Sequence, residues 1–330
     1  MKTGRLILFF TAIWLIFSLQ GCNKEYNSEA VFPEEPINFT ILNTSDNDYN
    51  SNIGPGRRLQ ITFSSDRYSN DYNFVVKRVD MEYSSSNDEL NMTLVNNDSQ
   101  TVMESIAQKV NSSANEFGPH SLSDGQNLYL LYANDESGYL DIRYVICEDV
   151  AYEQEYAEEQ IITEPLALSK LNSSHNDAYP CVEDNRIYFC TDRKGDYDIC
   201  YSDITNPFSE WLTSSDTIQL IYADVINSIY DDKCPFVIGD LLVFTSNREG
   251  GFGGYDLYYC TKNNDGSWSK PANFGSTINS EYDEFRPVVD EFLDFNNDMM
   301  IFSSNRSGGL GGFDLYYVGI SKMINIASRI

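Results

Sequence analysis

Two short motifs recur along the chain at constant spacing, and this periodicity limits the fold more than any other feature. The first is an aliphatic residue followed by Asn-Ser, with an acid five residues after the Asn and a proline eight after it. It reads Val110-Asn111-Ser112 with Glu116 and Pro119, Leu171-Asn172-Ser173 with Asp177 and Pro180, Ile226-Asn227-Ser228 with Asp232 and Pro235, and Ile278-Asn279-Ser280 with Glu284 and Pro287. The second is Phe244-Thr245-Ser246-Asn247-Arg248, then Gly250-Gly251-Phe252-Gly253-Gly254-Tyr255-Asp256, and it returns from Phe302-Ser303-Ser304-Asn305-Arg306 to Asp314. A shorter form runs from Phe189 through Asp192-Arg193 to Asp198, and a degenerate one from Tyr132 through Glu136 to Asp141. The aspartates at 141, 198, 256 and 314 are spaced by 57, 58 and 58 residues. A worn first copy is read at Asn47, Asn52 and Pro55, leading into Phe63-Ser64-Ser65-Asp66-Arg67.

Each repeat holds short runs rich in Tyr, Phe, Ile and Val between Gly, Asn, Asp and Ser turns, which is the pattern of small antiparallel sheets. Units of this length stack radially as propeller blades. The expected fold is therefore an all-β propeller of five blades of four antiparallel strands, with six blades as the alternative. The expected repeats are 47–110, 111–171, 172–226, 227–278 and 279–330. Pro36-Ile37-Asn38-Phe39 echoes Pro271-Ala272-Asn273-Phe274, and few residues follow Tyr317. Residues 36–46, with 37–42 as strand, are therefore expected to supply the outer strand of the last blade, pairing an otherwise open edge.

The repeat residues resemble the PD40, or TolB-like, WD40-like propeller repeats of bacterial envelope proteins, and residues 265–317 resemble the form common in Bacteroidetes-type bacteria. The resemblance covers roughly 47–317. Lys2 and Arg5, an apolar run over 6–19 and Leu19-Gln20-Gly21-Cys22 resemble a bacterial lipoprotein signal. That resemblance implies a signal peptide over 1–21, lipidation of Cys22, a tether over 22–35 and a single propeller domain over 36–330. The implied location is the outer membrane, held by the lipid alone and facing the periplasm or the cell surface.

Charge narrows the function classes. The chain carries 50 acidic against 22 basic side chains, a net −28, and only two histidines. Such a balance argues against nucleic-acid binding, which needs clustered Lys and Arg, and two histidines exclude a multi-His metal centre. The Gly-Gly-x-Gly-Gly runs lack the Lys-Ser/Thr of a phosphate loop and read as long flexible hairpin loops. Arg67, Arg193, Arg248 and Arg306 are expected to pair within their blades with the repeated aspartates Asp198, Asp256 and Asp314. Glu136 takes the place of arginine beside Asp141, so pairing should fail there. Glu116, Asp177, Asp232 and Glu284 should surround one mouth of the channel. They are read as acceptors of backbone N–H groups that order their turns, and equal stability losses are expected from each. A carboxylate ring for a cation is the other reading.

Asp294-Phe295-Asn296-Asn297-Asp298 starts like a calcium loop but lacks its later ligands and reads as a turn. Thr217, in Asp216-Thr217-Ile218, matches a short O-glycosylation pattern. Six cysteines remain beyond Cys22, and Cys190 with Cys200 is the candidate disulfide because the two flank one hairpin. No cofactor is called for. The function expected is a non-enzymatic envelope scaffold that binds a protein partner in a translocation, secretion or peptidoglycan-linked assembly. The alternative is a glycan-binding accessory protein or a glycoside hydrolase-like enzyme. Clustered aromatics at one mouth would favour a glycan, and a broad apolar patch a protein partner.

Overall fold

A computed structural model of the chain describes residues 30–55, 59–87, 89–95, 99–150 and 160–322. Cys22 and the apolar leader lie outside these residues. The fold is an all-β propeller of five sheets. Blade 1 comprises Asp48–Ile53, Leu59–Ser65, Asn73–Ser84 and Glu89–Leu94. Blade 2 comprises Glu116–Ser123, Leu128–Asn134 and Asp141–Glu148, with two short outer pieces, Ile161–Ile162 and Leu166–Ala167. Blade 3 comprises Asp177–Glu183, Arg186–Thr191, Asp198–Asp203 and Ile221–Tyr222. Blade 4 comprises Asp232–Ile238, Leu241–Ser246, Asp256–Thr261 and Ala272–Asn273. Blade 5 comprises Glu284–Asp290, Asn297–Ser304 and Asp314–Ser321, and its outer strand is Ile37–Asn38 from the other end of the chain. The five first strands touch in turn and close the circle, blade 5 against blade 1.

The closing strand copies blade 4 residue for residue. Ile37 and Asn38 lie opposite Tyr317 and Tyr316, as Ala272 and Asn273 lie opposite Tyr259 and Tyr258. Phe39 sits 4.9 Å from Tyr317, and Phe274 sits 4.8 Å from Tyr259. The segment expected to be a tether is built into the propeller from Ala30 onward. The fully buried Phe32 stacks on Phe295 at 4.0 Å, and Asn297 brackets the Phe32 backbone with bonds of 2.8 and 2.9 Å. The calcium-loop look-alike over 294–298 is thus a docking turn for the N-terminal segment.

The Asn-Ser motif is the latch between blades. Asn111, Asn172, Asn227 and Asn279 each accept from and donate to the main chain of one residue in the preceding blade, respectively Phe74, Ile142, Ile199 and Leu257. Asn43 makes the same pair of bonds to Leu315. The first copy of the motif is therefore Leu42-Asn43-Thr44 with Asp48, four residues earlier than the expected Asn47. Ser51 stands where the other copies have proline, which is why Pro55 misleads.

The Gly-Gly-x-Gly-Gly segments are ordered, correcting the expectation of flexible loops. Asp256 accepts the amides of Phe252 and Gly253 at 2.7 and 3.1 Å, and Asp314 accepts those of Leu310 and Gly311. The loops press on the next blade: a Cβ at Gly253 would lie 2.0 Å from the Tyr282 carbonyl oxygen, and one at Gly311 1.9 Å from that of Asp46. Only glycine permits that approach.

Among the described residues two helices interrupt the strands, and the strand-only reading misses both. α1, Val102–Val110, starts at a Thr101/Glu104 capping box and buries Val102, Met103, Ile106, Ala107 and Val110 between blades 1 and 2. α2, Phe208–Thr213, buries Trp211 and Leu212 in a cluster that joins blades 2 and 3, with Phe208 4.9 Å from Tyr129. All six described cysteines are buried free thiols. Cys190 lies opposite Ile199 and Cys200 opposite Phe189, so the expected disulfide is not formed. Among the described residues no helix is long and apolar enough to cross a membrane.

Candidate functional site

Each first strand opens with the repeated acid, and these acids are turn organisers at full burial. Asp48, Glu116, Asp177, Asp232 and Glu284 are all 0% exposed. Each accepts from the hydroxyl of the motif's Ser or Thr, for example Ser112 to Glu116 at 2.6 Å and Ser173 to Asp177 at 2.8 Å. Arg67, Arg193, Arg248 and Arg306 pair with Asp48, Asp177, Asp232 and Glu284, at 2.8 Å for Asp177 and 2.9 Å for Glu284. The arginine partner is thus the first-strand acid, not the loop aspartates Asp198, Asp256 and Asp314. Each guanidinium also reaches the carbonyl of the motif's aliphatic residue, Leu42, Leu171, Ile226 or Ile278. Among the loop aspartates, Asp198 faces Lys194 at 3.8 Å, and Asp141 pairs in register with Asn134. Thr217 is exposed in a groove beside blade 3 lined also by Lys170 and Leu212.

Blade 2 breaks the pattern. Glu136 turns away to Arg143 at 2.5 Å, and Glu116 is held by the Ser112 amide at 3.4 Å and by Asn134 at 3.0 Å. Without a cation, burial pushes the Glu116 carboxyl up to about 7 against the hydrogen bonds from Ser112 and Asn134. Its folded-state value lies above the unfolded value of 4.5. The carboxyl therefore contributes stability that is fully present below pH 4.5 and lost as pH rises to about 7. The window is worth about 3 kcal/mol. Denaturant melts at pH 4.5 and 7.5 should show wild type losing about that much relative to Glu116→Gln. Parallel curves for the two proteins would refute the assignment.

Next to the acids lies a collar that no sequence motif marks. The residue after each acid is Tyr49, Phe117, Ala178, Lys233 or Phe285, and the residue before each third strand is Tyr72, Leu140, Tyr197, Tyr255 or Phe313. Members from all five blades form one cluster around the axis. Tyr49 lies 5.1 Å from Phe313 and 5.5 Å from Phe285, Tyr72 lies 5.2 Å from Phe117, and Tyr255 lies 5.5 Å from Phe285. Tyr49, Phe117, Tyr197, Tyr255 and Phe313 remain half-buried. The signal was an aromatic before each Asp in Tyr197-Asp198, Tyr255-Asp256 and Phe313-Asp314, which reads as ordinary strand content.

One sector of the collar is polar. Asp231 accepts from the Tyr255 hydroxyl at 2.6 Å and pairs with Lys233 at 3.0 Å. The Lys233 ammonium also bonds the Tyr255 hydroxyl at 3.0 Å and sits 4.2 Å from the Tyr197 ring centre. Burial opposes ionisation of Asp231, but bonds from Tyr255, the Tyr197 amide and Lys233 outweigh it and hold the carboxyl below its ordinary range. Asp231 is therefore a carboxylate at neutral pH, beside an ammonium and a phenol. Among the described residues no group of three or more His, Cys, Asp and Glu could hold a metal ion.

No family model matches the sequence, and no curated protein matches it. Solved structures align with most of the chain at low identity. An endo-arabinase from Bacteroides thetaiotaomicron VPI-5482 aligns over 88% of this chain and 97% of its own at 12% identity and a TM-score of 0.49. The catalytic domain of a Coprinopsis cinerea GH62 alpha-L-arabinofuranosidase aligns over 88% and 97% at 11% identity and a TM-score of 0.48. A thermostable family-43 glycoside hydrolase aligns over 81% and 88% at 13% identity and a TM-score of 0.48. These figures describe a likeness of fold and assign no activity. These three are named as glycan-cleaving enzymes, not as PD40- or TolB-like scaffolds, and the expected non-enzymatic scaffold is not carried forward.

Proposed function

We propose that the protein is a glycan-recognising propeller of the glycoside hydrolase-like kind that takes a sugar at the aromatic mouth. The observation that carries this reading is the half-buried collar of Tyr49, Phe117, Tyr197, Tyr255 and Phe313, interrupted by Asp231 and Lys233. Sugar rings present apolar C–H faces and polar hydroxyl edges. An apolar aromatic wall with a few fixed polar groups is the kind of concave site that binds them. A carboxylate held ionised beside such a wall is suited to the nucleophile or general-base role of glycoside cleavage. The five buried acids are not candidates, because none is exposed to a substrate. The PD40-type resemblance bears here on repeat chemistry alone, since the motif residues are occupied as latches and turn organisers.

Titration with a panel of neutral and acidic oligosaccharides, followed by reducing-end release, tests the proposal. Tyr255→Ala should weaken binding about tenfold, the loss of one stacked face and one hydroxyl, measured at a temperature where the variant remains folded. Asp231→Asn should suppress release more than binding. Absence of binding to every member of the panel by the wild type would overturn the reading.

A further inference from the structure

The layer of the axis beneath the collar has an unusual backbone. Asn50, Gly118, Tyr179, Cys234 and Arg286, each two residues after a repeated acid, have φ of 57, 56, 57, 55 and 52°. All sit in the bulge of their first strands. Four non-glycine residues in the left-handed region are strained, and strain of this kind collects where a structure must aim side chains. In blades 1, 3, 4 and 5 the bulges turn a buried side chain inward, and Gly118 leaves blade 2 without one.

Arg286 is the extreme case. It is 0% exposed, yet only its Nη2 has a hydrogen-bond partner, the Pro119 carbonyl of blade 2 at 3.0 Å. Its Nε and Nη1 have none. The guanidinium carbon lies 5.8 Å from the Tyr179 ring centre, which does not neutralise the charge. A guanidinium stays protonated at any working pH, and an unpaired buried charge is strongly unfavourable. A second donor adjoins it in sequence beyond Pro119. His120 Nε2 accepts the Val182 amide at 3.0 Å, so the imidazole proton resides on Nδ1, which is buried without a partner. Burial, reinforced by the charge of Arg286, pushes His120 down to about 3, so the ring is a neutral donor rather than a second cation. The Asn50 amide, in the same layer of the adjacent blade, also has both side-chain atoms unpartnered.

We propose that the propeller axis holds a small inorganic monovalent anion of halide size, bound by Arg286 Nε and Nη1 with support from His120 Nδ1. The size follows from enclosure: the guanidinium is fully buried, with the buried Tyr179 ring 5.8 Å away, so a bulky or multiply charged anion could not be desolvated there at reasonable cost. The anion would supply the missing counter-charge and join blades 2 and 5 across the axis. This site is separate from the sugar mouth and stands whether or not that reading holds.

The test uses the whole folded chain. Melting temperature is followed from chloride-free gluconate buffer into chloride at constant ionic strength, and crystals are soaked in bromide for anomalous diffraction. We expect a saturable rise of roughly 5 °C with chloride, the linkage effect at about a hundred times the dissociation constant. We also expect a bromide peak within hydrogen-bond reach of Arg286. Arg286→Met should abolish the chloride response. If that variant does not fold, His120→Phe should reduce the response, and the wild-type bromide peak decides the matter alone. A melting temperature indifferent to anion identity, with no anomalous peak and water only on the axis, would overturn the proposal.

Discussion

A chain that begins at Asn43 will not form a stable closed propeller. Truncation there removes Ile37–Asn38, leaving the third strand of blade 5 with an open edge, and takes away Phe32, Phe39 and Leu42, which are at most 2% exposed. Losing a buried Phe costs about 3–5 kcal/mol and a buried Leu about 2–5 kcal/mol. The sum for three such residues reaches the whole stability of an ordinary domain, about 5–15 kcal/mol. The expected result is loss of the cooperative thermal transition and of near-ultraviolet dichroism. A milder version, Phe32→Ala with residues 37–42 intact, should keep the fold and lower the melting temperature by several degrees. A truncated chain that melts like the wild type would show that the N-terminal strand decorates the propeller without closing it.

Much of this architecture was legible because each blade repeats the same physical problem. Every blade must latch to its predecessor and order the turn into its first strand. An asparagine that mimics a strand partner and an acid five residues later solve both, so the spacing survives where the rest of the sequence drifts. The closing strand was legible for the same reason: Asn38 bonds Asp314 and Asn43 as Asn273 bonds Asp256 and Asn279. Where the local chemistry changes, the reading slips. Thr44 and Ser51 replace the motif's Ser and Pro in blade 1, and the copy was placed four residues late. Cys190 and Cys200 flank a hairpin, but strand alternation sends neighbouring positions to opposite faces of the sheet.

The candidate sites were less legible, since they come from convergence across blades rather than from any local pattern. Tyr49 and Lys233 in their strands and Tyr255 just before one are unremarkable until five blades bring equivalent positions into one cluster. Arg286 sits in Glu284-Phe285-Arg286-Pro287 at a position held elsewhere by Asn, Gly, Tyr and Cys. Of the five, only Gly118 announces a left-handed backbone, so nothing in the sequence distinguishes this arginine from a surface residue.

The arginine–acid pairs yield the second large effect, and they replace equal losses with unequal ones. Removing one partner of a buried pair leaves the other charge uncompensated, at about 3–5 kcal/mol. Arg248→Met strands Asp232, which is 0% exposed, and also frees the Ile226 carbonyl. Arg306→Met does the same to Glu284 and the Ile278 carbonyl. Each should lower the melting temperature by roughly 6–10 °C at this chain length. Because these pairs are largely shielded from solvent, the loss should change little with added salt. Blade 2 supplies an internal control, since Glu116 already lacks an arginine and Glu136→Ala removes only a surface pair worth about 0–1 kcal/mol. The double variant Arg248→Met, Asp232→Asn should recover part of the loss, because it removes the stranded charge as well as the pair. Arginine variants that melt within a degree of wild type would mean that the Ser and backbone donors alone hold the acids.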